Sequence, residues 1–148
     1  MRRRDMLAWT LAGSAWSPIA GAFGKTARLG RVVVVGAGYG GATAARYVRS
    51  LSGGRIDVIL VDQNAAFTSC PVSNRVLGGQ KTLEQLTFGY DVLRQQHGIK
   101  FLQGSVTAID AGKQRVVLAS KETLTYDRLV VAPGIDFMFD DFPSLAGA

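Results

Sequence analysis

The fold is constrained most by one stretch, residues 31–62, which reads RVVVVGAGYGGATAARYVRSLSGGRIDVILVD. The β-branched run Val32–Val35 predicts a strand buried on both faces, as in a parallel sheet. Glycines follow with the spacing G-x-G-x-x-G, at Gly36, Gly38 and Gly41, and ATAARYVRSL then predicts a helix. The first glycine permits a tight turn, the second lets a pyrophosphate approach the backbone, and the third lets helix and strand pack closely. This pattern predicts a Rossmann-like α/β fold with a phosphate-binding loop.

A second apolar run, Val58–Val61, ends at Asp62, about twenty residues after Gly41. A carboxylate at the end of that strand can accept hydrogen bonds from the ribose hydroxyls of a dinucleotide. An aspartate there argues against a phosphorylated ribose, so FAD or NAD is favoured over NADP. An ordinary tight turn is the alternative explanation of the glycines, but the complete strand, helix and second strand favour the dinucleotide.

The first two dozen residues have the pattern of an export signal. Arg2–Arg4 supply a positive head, Met6–Trp16 is an apolar stretch too short to span a bilayer, and Ala20–Ala22 is a small-x-small cleavage site. The order RRDML resembles a twin-arginine signal, which exports folded proteins. A general secretory signal or a retained anchor is the alternative. We therefore predict a signal over residues 1–24, no transmembrane span and a periplasmic protein.

Composition excludes some classes of partner. The chain has 148 residues and a formal net charge of +6. Without residues 1–24 it keeps 14 basic and 10 acidic side chains, or +4, with no basic run interleaved with aromatic residues. A nucleic-acid partner is therefore not expected. His97 is the single histidine, so no metal site is predicted around it.

Cys70 is the single cysteine of the chain. Pro71 follows it, and proline favours the first position of a helix, so we predict Cys70 at or beside a helix N-cap. A thiol there would face the positive end of the helix dipole, which favours the nucleophilic thiolate. The alternative for a lone cysteine is a small buried apolar residue.

Helical spacing of Leu83, Leu86, Tyr90 and Leu93 predicts one amphipathic helix over residues 82–97. Gly98 is in the position expected of a glycine that ends this helix. A parallel strand is predicted next, and alternating apolar residues then predict an antiparallel meander of three strands. These four strands are predicted at Ile99–Leu102, Val106–Asp110, Arg115–Leu118 and Thr123–Tyr126.

A further buried strand is predicted at Tyr126–Val131, and it runs into Ala132, Pro133 and Gly134. Small residues after a parallel strand let the backbone come close to a ligand at the carboxyl edge of the sheet. The residues beyond 136 have no strong periodicity and are predicted to begin a connection to another domain.

The segments in this order resemble the amino-terminal part of flavoproteins with two dinucleotide-binding domains, whose first domain holds FAD. VVVVGAGYGGATAARYVR, TSCPVSNRVLGG and YDRLVVAPGID are similar to the flavoprotein subunit of flavocytochrome c sulfide dehydrogenase. The resemblance implies an FAD-binding domain over residues 25–136, with a parallel sheet and a three-stranded meander, and a connection over residues 137–148. It also implies that the chain is truncated, with a complete small flavin-binding protein as the alternative.

The same resemblance implies the cofactor site. Cys70 would carry FAD through a thioether to the flavin 8α-methyl carbon. Gly36, Gly38 and Gly41 would hold the pyrophosphate, and Asp62 would hold the ribose. The backbone of Val106 would pair with the adenine. Ala132, Pro133 and Gly134 would line the flavin. The implied cofactor-binding residues are Gly36, Gly38, Tyr39, Gly41, Asp62, Gln63, Cys70, Val106, Ala132, Pro133 and Gly134.

The resemblance implies an activity that this chain does not complete. Relatives in the family oxidise sulfide, a small inorganic sulfur substrate, and pass electrons to a c-type cytochrome subunit. They use a redox cysteine pair that faces the flavin, and with Cys70 on the flavin no thiol remains here for that task. A sulfide:quinone oxidoreductase and a non-catalytic FAD-binding electron-transfer module are the alternatives.

Overall fold

A computed structural model describes residues 27–135. The predicted export signal and the predicted connection therefore lie outside the described residues. In chain order the elements are β1 (Gly30–Val35), α1 (Tyr39–Leu51), β2 (Ile56–Asp62), β3 (Ala66–Thr68), α2 (Asn74–Leu77), a 3₁₀ turn (Glu84–Leu86), β4 (Thr87–Gly89), α3 (Asp91–His97), β5 (Lys100–Gln103), β6 (Val106–Asp110), β7 (Arg115–Leu118), β8 (Thr123–Thr125) and β9 (Arg128–Val131).

Four strands form a parallel sheet in the order β5-β2-β1-β9. In the register of the two central strands Val34 lies opposite Leu60, and both side chains are fully buried. The strands β6, β7 and β8 form a separate antiparallel sheet, and β3 pairs with β4 in a two-stranded sheet. The predicted α/β fold with a parallel sheet and a three-stranded meander is confirmed.

The four valines of β1 divide between the two faces of the parallel sheet, because successive side chains of a strand point in opposite directions. Val32 and Val34 pack with Ala45 of α1 and with Tyr90, which precedes α3. Val33 packs on the other face with a cluster that includes Val116 of the meander. Helices therefore cover one face of the sheet and the meander covers the other.

The predicted single helix over residues 82–97 is wrong. The structure has a 3₁₀ turn, the strand β4 and the short helix α3 in its place. Pairing of Phe88 with Phe67 holds residues 87–89 in an extended conformation, so tertiary pairing overrides the helical periodicity. The predicted helix end is confirmed, because Gly98 has φ +62° and its N–H donates to the carbonyl of Arg94 at 3.1 Å.

The predicted helix cap at Cys70 is also wrong. Residues 71–73 form a turn, in which the N–H of Ser73 donates to the carbonyl of Cys70 at 2.9 Å. The helix α2 starts at Asn74 with Ser73 as its N-cap residue. Pro71 therefore opens a turn instead of a helix, which proline's fixed φ also favours.

Candidate functional site

Two of the three loop glycines are required by contacts within the protein. Gly36 has φ +91°, and a Cβ built there would lie 2.1 Å from the carbonyl oxygen of Ala132. A Cβ on Gly41 would lie 1.7 Å from the carbonyl oxygen of Gly36. The turn therefore packs directly against the end of β9 and against the first turn of α1, with no space for a side chain at either position.

Among residues 27–135, Gly38 has no contact that requires glycine. It is the N-cap residue of α1 with φ −69°, a value that any residue adopts, and a Cβ there would first meet the ring of Phe67, at an ordinary 3.5 Å. The first turn of α1 carries no acidic residue, and no side chain of the described residues caps it. Because the first N–H groups of a helix lack partners within it, this open position can receive an anion.

Asp62 connects the loop to the end of β2. Its Oδ2 accepts a hydrogen bond from the N–H of Ala37 at 2.7 Å, and its Oδ1 accepts one from the N–H of Asn64 at 2.8 Å. Each carboxylate oxygen can accept more than one hydrogen bond, so both can still receive ribose hydroxyls. The contact with Ala37 adds a structural role that the sequence did not reveal.

A pocket of about 250 Å³ lies at the carboxyl ends of all four parallel strands. Ligands of open α/β sheets bind at this edge. Five of the predicted cofactor residues line the pocket: Gly36, Asp62, Gln63, Val106 and Pro133. The structure thus brings together residues from the ends of β1 and β2, the start of β6 and the segment after β9.

Asn64, Gly104 and Ser105 also line the pocket, and sequence reasoning missed them. The N–H of Gly104 donates to the carbonyl of Asp62 at 2.7 Å, which holds the end of β5 against the end of β2. A signal was present for two of them, because Gly104 and Ser105 are small residues directly after a parallel strand. The same reasoning selected the three residues after β9.

Ala132 and Gly134 are placed differently from Pro133. Ala132 donates its N–H to the carbonyl of Val35 at 2.8 Å, and its own carbonyl is the atom that faces Gly36. Gly134 has φ +88°, and a Cβ there would meet no atom of residues 27–135 within 4 Å. Ala132 therefore packs against the loop, whereas Gly134 makes no such contact with the described residues.

Cys70 is exposed and does not line the pocket. It follows Ser69, a buried residue whose hydroxyl is hydrogen-bonded to the hydroxyl of Tyr39. Since Tyr39 is the first residue of α1, this contact connects residues 69–70, the cysteine segment, with the glycine loop. Phe67 adds a second contact, with its ring edge-on to that of Tyr39 at a centroid distance of 4.8 Å.

Tyr90 is buried beneath this edge of the sheet and stacks on Phe101 with a centroid distance of 4.3 Å. Burial, with a smaller contribution from the negative charge of Asp62, raises the pKa of Tyr90 to about 12. The phenol therefore stays neutral at physiological pH and acts as part of the core.

Comparison with known proteins identifies the family. Residues 30–145 match the family described as pyridine nucleotide-disulphide oxidoreductase. The chain belongs to this family.

Individual relatives of this oxidoreductase-family chain differ in their named activities. Ferroptosis suppressor protein 1 of Taeniopygia guttata is 38% identical over 109 residues, which cover 74% of this chain and 28% of that protein. The sulfide dehydrogenase [flavocytochrome c] flavoprotein chain of Chlorobaculum thiosulfatiphilum is 54% identical over 46 residues, which cover 31% of this chain and 94% of that sequence.

The solved structure of the sulfide:quinone oxidoreductase from Aquifex aeolicus superposes with a TM-score of 0.69 at 27% identity. The superposition covers 74% of this chain and 25% of that chain. This chain thus spans only about a quarter of the length of that enzyme and of the ferroptosis protein. Among residues 27–135 no helix combines the length and apolar character needed to cross a membrane.

Proposed function

We propose that this chain binds FAD as part of an oxidoreductase. Family membership and the flavoprotein chain among its relatives support a flavin cofactor. The observation that carries the proposal is the open position at Gly38, two residues after Gly36, which lines the same pocket as Asp62. The loop would hold the pyrophosphate and the pocket would hold the adenosine, with Asp62 on the ribose and the backbone of Val106 on the adenine.

We further propose that Cys70 holds the flavin covalently, through its sulfur and the flavin 8α-carbon. The thiol is exposed, so it is free to react, and the neighbouring Ser69 is hydrogen-bonded to the first residue after the loop. Residues Ala132, Pro133 and Gly134 would line the flavin at the carboxyl end of β9. FAD would accept an electron pair and release electrons singly.

The proposed reaction is oxidation of a small inorganic sulfur compound, sulfide, with electron delivery to a c-type cytochrome. The match with the Chlorobaculum flavoprotein chain supports this choice. The export-signal pattern of residues 1–24 supports a periplasmic site for the reaction. The 148 residues contain one cysteine, so with Cys70 on the flavin any disulfide exchange with sulfide needs thiols from outside them.

A quinone is the alternative electron acceptor. The superposition on a sulfide:quinone oxidoreductase supports it, at a TM-score of 0.69. The two acceptors can be compared directly, with sulfide as donor and either a c-type cytochrome or a soluble quinone as acceptor. Reduction of the cytochrome alone supports the first proposal, and reduction of the quinone alone supports the alternative.

Denaturing electrophoresis tests the cofactor proposal. A covalently held flavin stays with the polypeptide and fluoresces in the gel, and the intact mass rises by the mass of FAD less two hydrogen atoms, which are lost when the attached flavin is reoxidised. Cys70→Ala should abolish the fluorescent band while the chain still binds FAD reversibly. Wild-type chain that releases all yellow colour on acid precipitation would contradict the thioether but not FAD binding.

A further inference from the structure

Tyr39 makes its polar contact with the cysteine segment. It is the first residue of α1, beside the open position at Gly38, and its hydroxyl is hydrogen-bonded to the hydroxyl of Ser69. Its ring also lies edge-on to Phe67 of β3, with an angle of 78° between the ring planes. Tyr39 does not line the pocket that contains Asp62. Its hydroxyl therefore contacts Ser69, which does not line that pocket either.

Ser69 is fixed from two directions. Its side chain is bonded to Tyr39, and its N–H donates to the carbonyl of Leu86 at 2.9 Å. The residue is 7% exposed, whereas its neighbour Cys70 is exposed. An exposed thiol thus follows a buried residue that makes two hydrogen bonds. Loss of the Tyr39 contact would leave a buried hydroxyl without this partner and allow the segment to move.

We propose that Tyr39 is a positioning residue, which holds Cys70 in place relative to the glycine loop for attachment of the flavin. This inference rests on the proposed thioether. Correct placement of a nucleophile raises the rate of bond formation without raising affinity for the cofactor. Tyr39→Phe removes only the hydroxyl that is bonded to Ser69 and keeps the rest of this predicted cofactor-binding residue. It should therefore slow attachment more than it weakens reversible FAD binding.

The attachment itself is balanced without an external oxidant. The S–H bond of Cys70 and one C–H bond of the 8α-methyl group break, and a C–S bond forms. Two electrons and two protons pass to the isoalloxazine ring, which is left reduced. Dioxygen in the buffer then reoxidises the flavin.

The test compares Tyr39→Phe with Tyr47→Phe in the full chain. Tyr47 is the matched control, because it lies on the same helix and both tyrosines are 57% exposed. Each variant is mixed with FAD, and acid-stable flavin fluorescence is followed with time. The affinity for FAD is measured separately in a Cys70→Ala background, where binding stays reversible.

Tyr39→Phe should slow attachment roughly fivefold, as expected for loss of one hydrogen bond, while the dissociation constant for FAD rises by a clearly smaller factor. Ser69→Ala should slow it by a similar factor, and the double variant should be no slower than either single variant. Tyr47→Phe should behave as wild type. An unchanged rate in Tyr39→Phe, or a parallel loss of affinity, would overturn the inference.

A readout without flavin separates this inference from the thioether proposal. If wild-type chain binds FAD but never attaches it, the thioether is wrong, and hydrogen exchange at Ser69 then tests the positioning. Its N–H should exchange roughly fivefold faster in Tyr39→Phe than in Tyr47→Phe. Equal exchange in the two variants would show that Tyr39 does not hold the segment.

Discussion

Substitution of alanine for glycine should have different effects at Gly38 and Gly41: weaker ligand binding at the first and lower stability at the second. Gly38→Ala places a Cβ 3.5 Å from its nearest neighbour at a φ that alanine adopts freely. Gly41→Ala places a Cβ 1.7 Å from a backbone oxygen, where real Cβ atoms essentially never approach within 3.0 Å. Gly38→Ala therefore tests whether a ligand binds at the loop, and Gly41→Ala tests the packing of α1 on β1.

The expected changes in the free energy of unfolding follow from these contacts. At Gly38, alanine lowers the entropy of the unfolded chain but is a poor N-cap residue, so the free energy of unfolding should change by less than about 0.5 kcal/mol. At Gly41, helix propensity alone would stabilise the chain by about 1 kcal/mol. Relief of the clash needs a backbone shift of about 1 Å, and overpacking of this kind costs about 3 kcal/mol. The steric clash should therefore outweigh the helix propensity, and Gly41→Ala should lower the free energy of unfolding by about 2 kcal/mol.

Urea unfolding followed by circular dichroism measures the stabilities, and quenching of flavin fluorescence measures FAD binding. Gly112→Ala is a matched control, because its Cβ would lie at an ordinary 3.7 Å from Asp110, in a turn between meander strands. Gly38→Ala should unfold as wild type yet bind FAD at least tenfold more weakly, since the methyl group occupies the phosphate position. The reasoning is refuted if Gly38→Ala binds FAD as wild type does, or if Gly41→Ala is more stable than wild type.

Three other substitutions test separate parts of the account. Tyr90 has its pKa raised from 10.0 to about 12, so the unfolded chain releases its proton first and the free energy of unfolding should fall by about 2 kcal/mol between pH 10 and 12; Tyr90→Phe should remove this fall in urea titrations. Asp62→Ala removes two hydrogen bonds to backbone N–H groups and should cost about 3 kcal/mol and weaken FAD binding, whereas the exposed Asp91→Ala should cost almost nothing. Arg49→Met removes hydrogen bonds to three backbone carbonyls and should lower the thermal midpoint by several degrees more than Arg94→Met does.

The parallel sheet could be predicted from the sequence because its strands carry their own signal. Val32–Val35 and Val58–Val61 are continuous β-branched or apolar runs, as strands buried on both faces require. The spacing of the glycines between these two runs predicted the turn and the helix that connect the strands. The meander could be predicted for the same reason, since alternation over short runs bounded by turns indicates antiparallel strands.

The region between β2 and α3 could not be predicted, because its structure depends on distant partners. Leu83 and Leu86 fit a helical spacing, yet only Leu86 is buried, and the next three residues pair with β3 about twenty residues earlier. The turn after Cys70 was missed because Pro71 suits a turn as well as a helix start. Local sequence does not distinguish these outcomes.

The pocket was predicted in part. Asp62 and Gly36 were recognised by a spacing that the chemistry of dinucleotides requires. Asn64 was missed because its position at the pocket depends on how the strand ends meet, which a linear motif does not encode. Gly104 and Ser105 were missed although small residues after a parallel strand are a usable signal.

Comparison of FAD with FMN tests the central claim most directly. The account places the adenosine half of the cofactor in the pocket beside Asp62 and the pyrophosphate at Gly38, and FMN lacks the adenosine half. Equilibrium titration of the full chain carrying Cys70→Ala should show binding of FAD, competition by ADP and little binding of FMN. Equal affinity for FMN and FAD, or no competition by ADP, would contradict the account.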